Sequence, residues 1–411
     1  MFKMRGSSIL CCLAASASVS ATLATAAGNA NSLAQFALQK VLQDGRDVFG
    51  EYTAASTSSS SSNASEPRFA NWMAALPDST LLSHVNIPGT HDQATWNYTQ
   101  ATQDFLRNAT RCDGTTAYPA PVYRCQRESI AQALDKGIRF FDLRFAADPL
   151  GQRLVFWHSA ALVSATASVG DVLYGVWDWL SRHGSETVLL SFQHEVGTVA
   201  NATFDARVQG LMREALTGPA AEAFVWQGRG YVPTLAETRG KVVLVRRFDM
   251  DDDNDAGDGK GELPGLHMSP NKWNVNDTNG FALVFNETTN ATAYIEDYYE
   301  PDVLGENSTV VSNIDAKMVA VKANLEKAAS GEDPDSLFIT FASAEHDSNI
   351  PPVVPETMAL GNGTEVTPDG GVNHQLVSVL KGYRGKRLGV VVLDFFDEPE
   401  DLVALVLGDQ V

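Results

Sequence analysis

The sequence predicts an α/β fold in which parallel strands close into a barrel covered by helices. Short apolar strand-like runs recur along the chain, and helical patterns fall between many of them. The runs are near-continuously apolar, as strands buried on both faces are. Seven such runs in one domain fit a closed barrel better than an open doubly wound sheet, which stays open as an alternative. No Gly-rich nucleotide loop follows the first of them.

In order, the runs are LLSHVNI (81–87), GIRFFDLRF (137–145), RLVFWHS (153–159), ETVLLSFQHE (186–195), KVVLVRRF (241–248), SLFITFASAE (336–345) and LGVVVLDFF (388–396). In the first, Val85 and Ile87 alternate with His84 and Asn86, and Pro88-Gly89 is expected to stop the strand. SIAQALDKG opens on Ser129 as N-cap and closes on Gly137, the usual helix start and stop signals. SVGDVLYGVWDWLSRH, ATFDARVQGLMREAL and DAKMVAVKANLEKAA have amphipathic helical spacing.

Residues 1–27 read as a signal peptide, with Lys3 and Arg5 ahead of an apolar, small-residue run and Ala24-Thr25-Ala26 as the cleavage site. Residues 28–66 read as a low-complexity lead-in ending in a serine-rich linker, and residues 67–411 as a single catalytic domain. The net charge of −20 argues against a nucleic-acid partner and against strong attachment to anionic membranes. Cys11 and Cys12 fall in the signal, so Cys112 and Cys125 remain and are expected to form a disulfide. Acceptors for N-glycosylation begin at Asn63, Asn97, Asn108, Asn201, Asn276, Asn286, Asn290, Asn307 and Asn362. Together these features predict a secreted, extracellular, glycosylated eukaryotic protein.

Polar residues gather at the exits of the strands. His91 and Asp92 follow the first, Asp142 and Arg144 end the second, and His158 ends the third. Gln193 to Glu195 close the fourth, Arg247 the fifth and Asp394 the last. In a parallel barrel the carboxyl ends open onto one face, where active sites are built. Two histidines, an arginine and several carboxylates suit phosphodiester cleavage. One histidine takes a proton from an attacking hydroxyl, the other gives one to the leaving oxygen, and the arginine neutralises the phosphoryl oxygens. Asp142 either touches the reacting groups or holds Arg144. Glu195 reads as an ordinary surface or core carboxylate.

The motifs IPGTHD, SIAQALDKGIRFFDLR, VFWHS, GSETVLLSFQHE, RGKVVLVRRF and VVVLDFF, in that order, resemble the catalytic X domain of phosphatidylinositol-specific phospholipase C. The resemblance implies a distorted (β/α) TIM-type barrel and two-step acid–base catalysis. It makes His91 the general base, His158 the general acid, Asp394 the carboxylate orienting the base, and Asp92 the one assisting the acid. It makes Arg247 an inositol-binding residue and sets Asp297 under the sugar hydroxyls and Tyr299 against the ring; Asp142 is taken with them as a substrate-binding candidate.

Members of the family that use calcium bind it through carboxylates, one of them at the position of Arg144. A guanidinium and a divalent cation in one small site repel each other. The chain therefore resembles the bacterial, metal-independent branch, in a secreted member from a fungus or other eukaryote, with no cofactor and no metal. The implied partner is an inositol phospholipid at a membrane surface, met transiently by a monomer. Trp96 and Trp273 are candidates to dip into the bilayer. The acidic loop 249–262 has EF-hand-like spacing but lacks the turn glycine, so it reads as a solvated insertion. Two rivals stand beside this reading: a related glycerophosphodiester or sphingomyelin phosphodiesterase, and a catalytically dead inositol-lipid or glycan binding protein.

Overall fold

The computed structural model describes residues 32–52, 68–110, 118–196, 198, 203–251, 263–301, 305 and 308–411. The signal-like start, the serine-rich run, Cys112 and residues 252–262 of the acidic loop lie outside the described residues.

The strands are β1 (Ile87–Thr90), β2 (Phe140–Ala147), β3 (Leu154–His158), β4 (Ala161–Leu162), β5 (Thr187–His194), β6 (Lys241–Arg247), β7 (Leu266–His267), β8 (Phe281–Asn286), β9 (Ala291–Glu296), β10 (Leu337–Phe341) and β11 (Val390–Leu393). They form one sheet in the order β7-β6-β5-β2-β1-β11-β10-β9-β8. The two end strands, β7 and β8, come close without pairing, so the barrel is nearly closed. The pairs from β9 round to β7 are parallel. The predicted α/β barrel is the fold observed.

Four differences from the expectations follow from local chemistry. First, the strand before the site is IPGT itself, while Leu82–His84 is a 3-10 turn. Pro88 is tolerated because Ile87 and His91 make the donations to β11, and its carbonyl still accepts from Arg139 N at 3.0 Å. Gly89 is required by close packing: a Cβ there would meet the Phe140 side chain at 3.0 Å.

Second, β3 is not a barrel strand. It folds back antiparallel on β2, with Phe145 opposite Phe156, and β4 extends that hairpin. Third, β8 and β9 form an antiparallel pair whose partly exposed residues lacked the continuous apolar signal.

Fourth, the lead-in is not featureless, because residues 32–49 are helical. Phe49 packs so tightly on the Val169–Arg182 helix that a Cβ at Gly175 would lie 2.7 Å from its ring. Tyr52 donates to Asp178 at 2.7 Å, and Trp96 donates to the Val48 carbonyl at 2.9 Å. The predicted helices at Ile130–Asp135, Ala206–Thr217 and Val310–Ala329 form as well, the first with a full Ser129–Gln132 capping box.

Beneath the barrel, Arg139 and Glu186 are fully buried and joined at 2.8 Å, with the guanidinium also donating to the carbonyls of Leu134, Ile138 and Ala70. A buried ion pair with its remaining donors satisfied survives desolvation; one partner alone does not.

Candidate active site

His91 continues β1, its backbone N–H bonded to Leu393 O at 3.0 Å. The side chain of Gln126 pins this junction, donating to the carbonyls of His91 and Leu393 at 2.8 Å each. Asp394 leaves β11 beside it, and His91 Nδ1 lies 2.9 Å from Asp394 Oδ1. His158 ends β3. The two imidazole centroids are 6.2 Å apart, and the rings stand nearly perpendicular. The residues immediately after these groups, Asp92, Ser159 and Phe395, all have positive φ of 36–50°. Backbone strain of roughly 1–3 kcal/mol at such positions is characteristic of functional sites.

Arg144 bonds to His91 and lies near Asp92, the carboxylate beside His158. Its Nη2 is 2.8 Å from His91 Nε2, and its Nε is 3.6 Å from Asp142 and 4.0 Å from Asp92. An arginine has only donors, so Nε2 of His91 is the acceptor and Nδ1 carries the hydrogen shared with Asp394. That tautomer leaves a lone pair on the nitrogen facing the barrel mouth, as a general base requires. Burial works against the Arg144 cation, but Glu195, Asp142 and Asp92 outweigh it and hold its pKa above the ordinary value.

His158 is arranged in the opposite sense. Nδ1 donates to the Tyr123 carbonyl at 2.8 Å, and Asp92 Oδ2 lies 3.0 Å away. Burial disfavours the imidazolium, yet the Asp92 carboxylate more than compensates and raises the pKa. A histidine whose protonated form is favoured is suited to act as an acid.

Asp142 does hold arginines: Arg247 Nη1 is 3.1 Å away and Arg144 lies on its other side. Burial would raise its pKa, but Arg247 and then Arg144 bring it below the usual carboxylate value. The Arg247 guanidinium lies 3.8 Å over the Trp273 ring and 3.8 Å from Asp297, which also accepts from Trp273 Nε1 at 2.7 Å. Tyr299 stands half-buried at the same mouth, its hydroxyl pKa raised by burial and then by Glu300 and Asp297. All nine residues picked out for catalysis or substrate binding therefore converge.

Two expectations are corrected, and the expected Cys112–Cys125 disulfide falls outside the described residues because Cys112 does. Cys125 itself is a free, fully buried thiol. The Cys125 sulfur points inward, 3.9 Å from His158 Nδ1, and burial and then Asp394 and Asp92 push its pKa well up. Trp273 is buried beneath Arg247, and Trp96 is tied to the 32–49 helix, so neither is free to dip into a bilayer. Glu195 belongs to the site: its Oε1 accepts from Ser159 N at 2.8 Å and it is the foremost carboxylate acting on Arg144. Strand alternation held the signal for it, because Gln193 pairs with Arg144 and Glu195 is two residues further along. Gln126 had no such signal, lying in a loop far from either residue it bonds.

Among the described residues, two donor sets include the thiol: His91–Cys125–Asp394 and Asp92–Cys125–His158. A third group, Glu300, Glu345 and Asp347, brings carboxylates together beyond β9 and β10. Burial and the neighbouring carboxylates push Glu345 up to about 8.

Residues 119–248 match the family model described as phosphatidylinositol-specific phospholipase C, X domain. Over this stretch the chain is similar to the X domain of that family. The match includes Asp142, Arg144, His158 and Arg247, while His91 and Asp394 lie outside it on strands adjoining β2 and β1. A 1-phosphatidylinositol phosphodiesterase of Listeria monocytogenes is 30% identical over 178 residues, covering 42% of this chain and 47% of that protein. One from Staphylococcus aureus is 26% identical over 295 residues, 72% of this chain and 80% of that protein. A solved structure of the phosphatidylinositol-specific phospholipase C of S. aureus superposes with a TM-score of 0.58 at 22% identity, covering 83% of this chain and 97% of that one, and shares the barrel fold.

Proposed function

We propose that this chain is a secreted phosphodiesterase that cleaves phosphatidylinositol, or glycosylphosphatidylinositol, by attack of the inositol 2-hydroxyl on the adjacent phosphate. The observation that carries the reading is the oppositely prepared histidine pair. His91 offers a lone pair at Nε2, Asp92 favours the protonated form of His158, and Arg144 bonds to His91. The 2-hydroxyl gives its proton to His91 Nε2 as its oxygen bonds to phosphorus. The bond from phosphorus to the diacylglycerol oxygen breaks, and that oxygen takes a proton from His158 Nε2. Diacylglycerol and a cyclic inositol phosphate leave. Arg144 moves from His91 to the phosphoryl oxygens as charge builds on them. Arg247, Asp297 and Tyr299 hold the inositol ring, whose hydroxyls suit the charged groups and whose face suits the phenol.

Arg144 supplies the positive charge among Asp92, Asp142 and Glu195, which supports a reaction that needs no divalent ion there. Secretion rests on the N-terminal sequence and the glycosylation acceptors. Of these, Asn97, Asn108, Asn290 and Asn362 are exposed, whereas the amides of Asn276 and Asn286 bond to the carbonyls of Glu300 and Gly230. The substrate is met at a membrane surface because it is a lipid.

The test is phosphorus NMR of the protein with phosphatidylinositol micelles, with and without chelator, beside His91→Ala. A cyclic phosphate signal that survives chelator and vanishes in the variant supports the proposal. No product from any inositol lipid overturns it in favour of a binding protein, and product lost on chelation overturns the metal-independent part.

A further inference from the structure

Cys125 is fully buried beside the imidazole of His158. Its sulfur is 3.9 Å from His158 Nδ1, and Asp92 Oδ2 is 3.0 Å from the same nitrogen. The sulfur, the imidazole nitrogen and an Asp92 carboxylate oxygen all lie within 4.8 Å of one another. The carbonyl of Tyr123 closes the set, 2.8 Å from the nitrogen and 3.9 Å from the sulfur. Donor atoms sharing one tetrahedral zinc stand roughly 3–4 Å apart, given bonds of about 2.0–2.3 Å.

A second observation points to a cation here. Asp92 is completely buried; its Oδ2 is paired with His158 Nδ1 at 3.0 Å, but its Oδ1 has no hydrogen-bond donor. His158 Nδ1 has one hydrogen to share between the Tyr123 carbonyl and Asp92. A buried carboxylate oxygen left without a donor is costly, and a cation bound at both carboxylate and sulfur would relieve that cost.

We propose that Asp92, Cys125 and His158, with the Tyr123 carbonyl, form an inhibitory site for a thiophilic divalent cation such as Zn²⁺. The ion enters past His158, whose side chain is 12% exposed. Binding replaces the thiol hydrogen and the Nδ1 hydrogen of the imidazolium, so two protons are released and the metal gains one thiolate, one neutral imidazole and one carboxylate. The metallated imidazole keeps its Nε2 hydrogen but is no longer an imidazolium, and the general acid is lost. That consequence rests on the function proposed above; the binding itself does not. A chelator would then restore activity.

The experiment is a titration of the full chain with Co²⁺, followed by its thiolate charge-transfer absorption, then displacement by Zn²⁺. One equivalent of Co²⁺ is expected to give the band in the wild type and in Cys112→Ser, and to give none in Cys125→Ser. Asp92→Asn should weaken Co²⁺ binding by more than about tenfold, with thermal melts recording that each variant is folded. In parallel, buffered Zn²⁺ should inhibit turnover of phosphatidylinositol micelles by the wild type and should inhibit Cys125→Ser at least about tenfold less tightly. A band that follows Cys112, a band that needs Asp394 rather than Asp92, or no band at one equivalent overturns the site. A normal band with a protein inactive on every inositol lipid leaves the site standing and sinks the assigned reaction instead.

Discussion

Nη2 of Arg144 caps Nε2 of His91 at 2.8 Å, so the cation that would neutralise a phosphate rests on the base that would start the reaction. A substrate must draw the guanidinium away before the lone pair is free, and an anionic phosphodiester does so. Arg144→Met should therefore lower kcat by about 10²–10³, the usual loss for one transition-state donor, and Arg144→Lys should recover only part of it. Lipid turnover assays of the two variants check this; a lysine variant as active as the wild type would show that the forked geometry is irrelevant.

The partner of the base is equally exposed to test. Asp394→Asn keeps the shape but no longer favours the tautomer with hydrogen on Nδ1, and kcat should fall by at least ~10² while binding of inositol phosphate stays nearly constant. Steady-state kinetics and calorimetric titration with a soluble inositol phosphate separate the two. Equal losses in both would mean that Asp394 merely supports the fold.

The raised pKa of His158 fixes the sign of a pH effect. The acid form is present below the folded pKa and disappears as pH rises through it, so activity should fall on the alkaline side at a pH above that of an ordinary histidine. Asp92→Asn removes the stabilising charge and should move that limb to lower pH. The same group contributes to folding stability fully below its unfolded pKa, and that contribution is lost as pH rises through the folded value. A pH–rate profile of the two proteins decides it, and an unmoved limb would reject Asp92 as the partner of the acid.

Two packing predictions address the frame. Glu186→Gln strands the buried Arg139 charge and should cost about 3–5 kcal/mol. Phe49→Ala empties the contact with the Val169–Arg182 helix and should cost about 3–5 kcal/mol. Urea unfolding measures both. A change under about 1 kcal/mol at Phe49 would mean that the N-terminal helix is not part of the cooperative unit.

The site was legible in the chain because its residues sit at strand ends, where short apolar runs stop and charge begins. His91, Arg144, His158, Arg247 and Asp394 all announce themselves that way. What escaped depended on tertiary direction. Cys125 turns inward beside His158, a choice that loop sequence does not encode. Glu195 was hidden in a strand end that pairs with Arg144's strand. The IPGT strand was misplaced because proline and glycine usually end strands, and here the neighbouring ladders and Phe140 supply the exception. The antiparallel turn of β3 escaped because an apolar five-residue run has no direction of its own.

That turn separates the two histidines mechanically. His91 belongs to the barrel wall, and His158 belongs to an arm folded back on β2. The joint of the arm is the turn at Asp148–Arg153, closed by Asp148 N–H to Arg153 O at 2.8 Å and Gly151 N–H to Asp148 O at 2.7 Å. The molecule thus carries a caliper with one jaw in the barrel wall and the other on an arm clamped by its ladder to β2 and by the Tyr123 carbonyl at its tip. A one-residue slip of that ladder would turn the tip to the opposite face of the arm and open the caliper without altering the first jaw.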